Sequence, residues 1–252
     1  MTAQVTLDGR LRAAGVGPEA EPVDAWRRLR AVEGPRATML DLYELAARRR
    51  GMAAHELPAE ERHALAASVM PAVWPGWEPT SGSERPGDVI EVVDYDATWP
   101  DLYAAWRDVL VAALGATARR IEHIGSTAVP GLVAKPIIDV QVSVADLADE
   151  EAYVPALEAV GLQLRSRDGS HRYFRPFAGR PREIHVHFCE VGSAWEAEHL
   201  CFRDYLRANP DARDEYARAK RDAVAHWADD GWAYTDAKTE VVLDILARAT
   251  RG

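Results

Sequence analysis

The spacing of apolar residues changes once along the chain and predicts two structurally different parts. In the first part apolar positions recur every three to four residues, which predicts helices. The predicted helices cover residues 22–34, 38–51 and 58–70. Thr38 and Asp41 are spaced as a capping box for the second helix, and Pro71 is placed to end the third. Residues 1–80 are therefore predicted to form a small all-helical unit of unknown role.

A stretch rich in Pro, Gly and Ser follows the helical part. Residues 75–88 read PGWEPTSGSERPGD, a composition that favours neither helix nor strand and is typical of a linker. We place the linker itself at residues 81–88. Because such segments carry few contacts, we expect the helical unit and the rest of the chain to be independent.

Residues 89–252 alternate between strand and helix patterns. Short runs in which apolar and polar residues alternate predict strands at 91–95, 118–125, 137–144, 161–166, 171–177 and 182–188. Helical spacing predicts helices at 98–114, 153–160, 195–209, 211–228 and 236–249. In 137–144 the polar residues all fall on one side, which predicts a half-buried strand. The pattern indicates an α+β or α/β domain, a mixed sheet with helices packed against it.

Composition and charge exclude several classes of function. The 252 residues carry 30 basic and 40 acidic side chains, a formal charge of −10, which disfavours non-specific nucleic-acid binding. Cys189 and Cys201 lack the spacing of a zinc ribbon or a redox pair. The start of the chain has no apolar signal core, and no run of 18 apolar residues occurs. We therefore expect a soluble, cytoplasmic protein without a membrane partner.

The chemistry is concentrated in HIGSTAVPGLVAKPIIDVQV, residues 123–142. Gly125 permits close approach of a ligand to the backbone. Ser126 and Thr127 add hydroxyl groups, and the exposed backbone N–H groups ahead of a helix suit the binding of a phosphate. Lys135 adds a compact cation. Asp139, on the polar face of the following strand, is placed to hold a divalent metal that neutralises phosphate charge.

HIGSTAVPGL-x-AKPIID resembles the signature of the GrpB family, a branch of the nucleotidyltransferase superfamily. Further segments are similar to the same family in the same order, over about residues 90–250. These are DYDATWP, IHVHF, FRDYLRANPDARDEYARAK and the final Tyr234-x3-Lys238. The resemblance implies a nucleotidyltransferase-like fold that binds a nucleoside triphosphate with Mg²⁺ and transfers a nucleotidyl group to an unidentified small-molecule or protein acceptor.

The resemblance also implies roles for individual residues. Gly125 and Ser126 match the turn of the superfamily, and Asp139 matches its first metal-binding acid. The expected catalytic residues are Asp139, which is also the metal ligand, and Lys135. The expected nucleotide-binding residues are Gly125, Ser126, Thr127, Gln141 and Lys238. The expected residues of the substrate cleft are His123, Glu183, His185, His187 and Arg203.

Two alternative functions stay open at this stage. Gln141 stands where the superfamily has its second acid, which favours a non-catalytic nucleotide-binding or partner-stabilising domain. His185 and His187 point the same way from one strand, so with Asp139 they also suit a metal-dependent hydrolase.

His123 precedes the turn and is placed to order it by hydrogen bonding. Because Arg203 is next to Asp204 on a helix, we expect these two to make separate contacts. The helical unit, residues 1–80, is also considered as a binding site for a protein partner.

Overall fold

The computed structural model describes residues 6–80 and 89–251; the predicted linker, 81–88, lies outside the described residues. The helices are α1 (Leu7–Ala13), α2 (Pro22–Glu33), α3 (Met39–Arg48), α4 (Ala59–Val73), α5 (Trp99–Leu114), α6 (Val154–Ala159), α7 (Ala194–Ala208), α8 (Pro210–Trp227), α9 (Gly231–Asp236) and α10 (Thr239–Ala249). The strands are β1 (Glu78–Pro79), β2 (Arg120–Ile124), β3 (Ile138–Val144), β4 (Leu162–Arg167), β5 (Arg172–Pro176) and β6 (Ile184–Glu190). Within these ranges, none of the helices combines the length and apolarity that crossing a bilayer requires.

The strands form one mixed sheet in the order β1-β4-β5-β6-β3-β2. β3 and β6 are parallel, and the other neighbouring strands are antiparallel. The parallel register places Asp139 opposite His185, and the antiparallel register with β2 places Ile124 opposite Asp139. Residues far apart in sequence therefore meet where β3 and β6 begin.

The main core lies on one face of the sheet. Apolar residues of β3 and β6, such as Val140 and Val186, pack there beneath α5 and α6, which contribute Leu110 and Leu157. The other face is also covered, because α7 packs on β2 and β6 and its Glu196 accepts a hydrogen bond from Ser143 at 2.6 Å. The prediction of a half-buried β3 is therefore wrong: helix α7 covers the polar face that the alternation indicated.

Three local predictions also differ from the structure. The expected strand at 91–95 makes only a single bridge, from Val93 to Ala134. Helix α4 continues through Pro71, because a proline one turn before the end removes a single hydrogen bond, and the Trp74 N–H still reaches the Met70 carbonyl at 2.9 Å. Two residues of the Pro- and Gly-rich stretch form β1, which pairs with β4.

The helical part and the sheet domain share a core. Tyr43 and Leu57 pack with Trp227 and Tyr234 in one buried cluster, and the Tyr43 and Trp227 ring centres are 6.0 Å apart. The two parts are thus joined by a shared core as well as by the linker, which differs from the expected independence of the helical unit. The division of the chain into domains at residues 81–88 stays a prediction.

Candidate functional site

A cavity of about 650 Å³ opens where the turn after β2 meets the first residues of β3 and β6. Helices α8 and α9 form its other side through Tyr216, Lys220 and Tyr234. Its volume is in the range of about 300–1,000 Å³ that is usual for small-molecule sites. The predicted residues Ser126, Thr127, Lys135, Asp139, His185, His187 and Lys238 all line it.

Gly125 lies directly against Asp139. Its φ is +69° and its ψ is −170°, a backbone conformation essentially restricted to glycine. A Cβ added here would lie 2.9 Å from the Asp139 Cβ and closer still to Oδ2. The next three residues, Ser126–Ala128, form one 3₁₀ turn rather than the expected helix. The close approach that the glycine permits is thus to the carboxylate-bearing side chain of β3.

Three lysine side chains converge on this turn. Lys220 donates from Nζ to the Ser126 hydroxyl and, at 2.8 Å, to the Val133 carbonyl. The Nζ atoms of Lys135 and Lys238 lie 4.2 and 3.5 Å from the ring centre of Tyr234. Lys238 also donates to the Tyr234 carbonyl at 2.6 Å. Together they form a compact group of cations beside Asp139.

The lysine ammonium groups are held in an environment that disfavours their charge. Burial, with the nearby Arg182, lowers the pKa of Lys135 to about 8. Burial and repulsion from Lys135 lower the pKa of Lys220 to about 7, although Asp139 opposes the shift. Burial and repulsion from the other two lysines lower the pKa of Lys238 well below its usual value. A bound polyanion would favour all three charged forms, so the group suits a ligand with several negative charges.

Lys220 was missed by the sequence reasoning, although the composition holds a signal for it. The chain has 27 arginines and only three lysines, Lys135, Lys220 and Lys238, and all three line this cavity. A lysine ammonium is a compact point charge whose pKa shifts readily when buried, which a guanidinium does not offer. The scarcity of lysine therefore distinguishes these three positions from the many arginines of the chain.

Asp139, His185 and His187 form a second group in the cavity. The Asp139 Oδ1 atom lies 3.2 Å from His185 Nδ1 and 3.6 Å from His187 Nε2. Burial raises the pKa of Asp139, but its contacts with His185 and His187 outweigh this effect and hold the pKa below its ordinary value. Burial lowers the pKa of His185 to about 4. Asp139 is thus ionised and His185 neutral at pH 7.

Hydrogen bonds behind the two histidines set their tautomers. Arg182 Nε donates to His185 Nε2 at 3.0 Å, so the His185 proton lies on Nδ1 and is donated to Asp139. His187 Nδ1 lies 2.9 Å from His171 Nε2, and His171 Nδ1 is 4.0 Å from an Asp168 carboxylate oxygen. If His187 donates from Nδ1 in this contact, its Nε2 carries no proton and is free to bind a metal.

The arrangement of donor atoms suits a divalent metal. Within the described residues, Asp139, His185 and His187 can each offer one atom, all within 4.8 Å of one another. Mg²⁺ is commonly held by one carboxylate together with substrate phosphates, which Asp139 fits. Imidazole ligands also suit Mn²⁺ or Zn²⁺. Because Arg182 occupies the His185 lone pair, Asp139 and His187 are the ligands available without rearrangement.

His123 and Thr127 support the turn from inside the protein. His123 Nε2 lies 3.0 Å from the Thr127 hydroxyl, and the His123 ring stacks on Tyr103 with 4.6 Å between ring centres. Burial lowers the pKa of His123 to about 4. The neutral ring therefore orders the turn by hydrogen bonding, which was one of the interpretations from sequence, while Thr127 lies in the cavity wall.

Gln141, Glu183 and Arg203 are not among the described residues that line the cavity. Gln141 is fully buried, with its Nε2 3.5 Å from the Ser143 hydroxyl, and the Glu183 side chain is exposed before β6. Arg203 donates to Glu122 at 2.8 Å, which ties α7 to β2. It also donates to Asp204 at 2.7 Å, so the prediction of separate contacts is wrong: the long arginine side chain reaches its own neighbour.

The sheet and the cavity together define the class of protein. It is an α+β domain with a nucleotidyltransferase-like mixed sheet, in which a Gly–Ser turn follows one strand and the next strand carries an acid. The chain belongs to the GrpB protein family, whose pattern it matches over residues 89–248. The helices before residue 89 lie outside this match.

Known relatives agree with the assignment. The chain is 46% identical to a UPF0157 protein of Streptomyces coelicolor over 160 residues, which cover 64% of this chain and 84% of that protein. It is 42% identical to a UPF0157 protein of Halalkalibacterium halodurans, over 68% of this chain and 89% of that protein. The crystal structure of the conserved protein GrpB from Enterococcus faecalis matches with a TM-score of 0.58 at 28% identity, over 64% of this chain and 98% of that one. The predicted family and fold class are therefore confirmed.

Proposed function

We propose that the protein binds a nucleoside triphosphate with a divalent metal and transfers its nucleotidyl group to an acceptor. The observation that carries this proposal is the convergence of all three lysines on the cavity that holds Asp139. Buried cations that repel one another are costly to the folded state unless a ligand offsets their charge. A triphosphate supplies that charge, and a metal at Asp139 would bind to the same phosphates.

Each residue then has a role in positioning and electrostatics. Lys220 and the Ser126 hydroxyl that it contacts bind one phosphate, while Lys135 and Lys238, both close to the Tyr234 ring, bind the others. Asp139 and His187 would hold the metal. Such a metal offsets the phosphate charge that grows as the leaving group departs, and it orients the reacting phosphate.

The transfer is an in-line displacement at the α-phosphorus. An oxygen of the acceptor forms a bond to this phosphorus, and the bond from the α-phosphorus to the oxygen that bridges to the β-phosphate breaks. Pyrophosphate leaves and the acceptor proton passes to solvent. The lysines stabilise the departing pyrophosphate, so the chain contributes through positioning and charge.

Binding and turnover test the proposal separately. Calorimetry with several nucleoside triphosphates and Mg²⁺ or Mn²⁺ should show binding to the wild type that Asp139→Asn and Lys220→Met each weaken at least tenfold. Glu183→Gln, at an exposed carboxylate outside the cavity, is the matched control for Asp139→Asn. If no nucleotide binds, or if both cavity variants bind like the wild type, the proposed site is wrong.

Pyrophosphate release then distinguishes transfer from binding alone. With a γ-labelled nucleotide and a small-molecule or protein extract as the source of acceptor, release of labelled pyrophosphate should depend on Asp139. Because Gln141 stands where a second acid is expected, the rival function is a nucleotide-binding or partner-stabilising domain without catalysis. Tight nucleotide binding with no release from any extract supports this rival.

One observation favours a second candidate, a metal-dependent hydrolase. Asp139, His185 and His187 bring potential ligand atoms within 4.8 Å of one another, and a metal there could activate water. This reaction needs no acceptor. Hydrolysis of a simple phosphate ester by protein loaded with Zn²⁺ or Mn²⁺, abolished by His187→Gln, would favour the hydrolase.

A further inference from the structure

We propose that Trp77 and Trp232 form a stacking site for the base of the nucleotide whose phosphates lie at the three lysines. The inference rests on the proposed function and adds the part of the ligand that the lysines do not contact. Both tryptophans line the same cavity as Asp139 and the lysines. The tryptophan rings offer no charge to bind phosphates. Their presence in the cavity therefore indicates that the same ligand also carries a flat apolar group.

The two rings form an aromatic cluster with Trp74. The ring centres of Trp74 and Trp232 are 4.9 Å apart, and those of Trp77 and Trp232 are 6.2 Å apart with the planes at 84°. Trp232 is 36% exposed, so part of its ring remains open to a ligand. Trp77 and Trp232 also line a neighbouring cavity of about 360 Å³ together with apolar residues of α4. They therefore mark the apolar part of the site.

The chemistry of the cavity selects a nucleotide among polyanionic ligands. Inorganic polyphosphate would use only the lysines and the metal. A nucleoside triphosphate joins several charges to a flat aromatic ring, which matches both parts of the cavity. Stacking on an aromatic side chain accepts every base, because each base has a π-face. We therefore expect weak discrimination between bases.

Each tryptophan is held in place by the helical part of the chain. Trp77 lies between α4 and β1, and beyond β1 the Thr80 N–H donates to the Arg165 carbonyl at 3.0 Å. Trp232 is the second residue of α9, and its N–H donates to Asp230 at 3.1 Å. The buried Asp230 accepts in turn from Arg62 of α4 at 3.0 Å. Helix α4 thus supports Trp232 through Asp230, whereas the pairing of β1 with β4 holds the segment that follows Trp77.

The proposed stacking site lies partly outside the family match. Trp77 precedes residue 89, where the match to the GrpB family begins, whereas Trp232 lies inside it. The helical part therefore has a role in ligand recognition, as it completes a site whose phosphate-binding half belongs to the family domain.

Two ligands separate the stacking site from the phosphate site. Calorimetry compares a nucleoside triphosphate with inorganic tripolyphosphate, each with Mg²⁺, on the wild type, Trp77→Ala, Trp232→Ala and Trp232→Phe. The alanine variants should bind the nucleotide about tenfold or more weakly, since base stacking commonly contributes this much, and should bind tripolyphosphate as the wild type does. Trp232→Phe keeps a ring and should recover most of the nucleotide affinity. Trp106→Phe, on α5 away from the cavity, is the control.

The outcomes are distinguishable from those that test the proposed function. If the wild type binds neither ligand, the proposed function fails and the inference fails with it. If the wild type binds both ligands but the alanine variants bind the nucleotide normally, only the stacking site is wrong. An equal loss for nucleotide and tripolyphosphate also overturns the stacking site, because it indicates general damage. Circular dichroism shows whether each variant is folded, and Trp232→Phe tests the inference if an alanine variant is not.

Discussion

Replacing Gly125 with alanine should disable the site through Asp139. The backbone at Gly125 has φ of +69° and ψ of −170°, and holding a residue with a side chain there costs about 1–3 kcal/mol. The new Cβ would also lie 2.9 and 3.0 Å from Asp139 Cβ and Cγ, and such overpacking costs about 1–3 kcal/mol. The combined penalty is about 2–6 kcal/mol. Rotation of the Asp139 side chain relieves its Cγ and Oδ2 contacts, whereas the Cβ contact and the backbone strain are relieved only if the turn moves away from β3.

The rotation would remove the carboxylate from the metal and the phosphates. We therefore expect Gly125→Ala to bind nucleotide with metal at least about tenfold more weakly, which corresponds to about 1.4 kcal/mol. Calorimetry measures the binding, and urea unfolding measures the stability. Gly15→Ala is the matched control, since Gly15 has φ of +68° with nothing within 4 Å of the added Cβ. It should lose some stability and no affinity. Wild-type affinity in Gly125→Ala would refute the close contact between Gly125 and Asp139.

Further predictions concern the lysines, the shared core and the metal. The folded-state pKa of Lys220 is lowered to about 7, so above this pH the unfolded chain binds a proton that the folded chain does not. Between pH 7 and 10, the wild type should therefore gain stability relative to Lys220→Met, as measured by urea unfolding. The same pH dependence of stability in both proteins would contradict this prediction. Nucleotide binding at pH 8 should take up protons and weaken as pH rises, which calorimetry in buffers of different ionisation enthalpy detects. A chain that starts at residue 89 would expose Trp227 and Tyr234, so it should unfold at a lower temperature than the full-length protein or aggregate. Full-length protein cut within 81–88 should keep its two fragments together on size exclusion. A fragment as stable as the full-length protein would show that the shared core is dispensable. Finally, His187→Gln should weaken binding of Mn²⁺ or Zn²⁺ more than that of Mg²⁺ in titrations, and equal effects would exclude His187 as a ligand.

The parts of the site that lie within one continuous segment were predictable from sequence. Residues 123–142 place the turn, Lys135 and Asp139 together, because β2 and β3 are antiparallel neighbours joined by that segment. Lys220 lies 94 residues after Ser126, Trp232 comes from the next helix, and no local pattern distinguishes them from solvent-facing residues. Their position depends on how α8 and α9 pack, which is a tertiary property.

The errors in the predicted fold have a similar origin. Alternation along β3 correctly identified a strand, but it could not show that α7 covers the polar side, with Glu196 accepting from Ser143. Composition alone also suggested that the stretch after α4 has no regular structure, although Glu78 and Pro79 pair with β4. In each case a partner distant in sequence decides the outcome.

The parallel pairing of β3 with β6 affects how fast the folding protein gains the ability to bind its ligand. Asp139 and His185 are 46 residues apart in sequence, so bringing them together closes a long loop, whereas β4 and β5 are joined by a short turn. Contacts of long sequence separation slow folding because their entropy is lost before their energy is gained. During refolding, we expect the β4–β5 hairpin to form early and ligand binding to return only after β6 has docked beside β3.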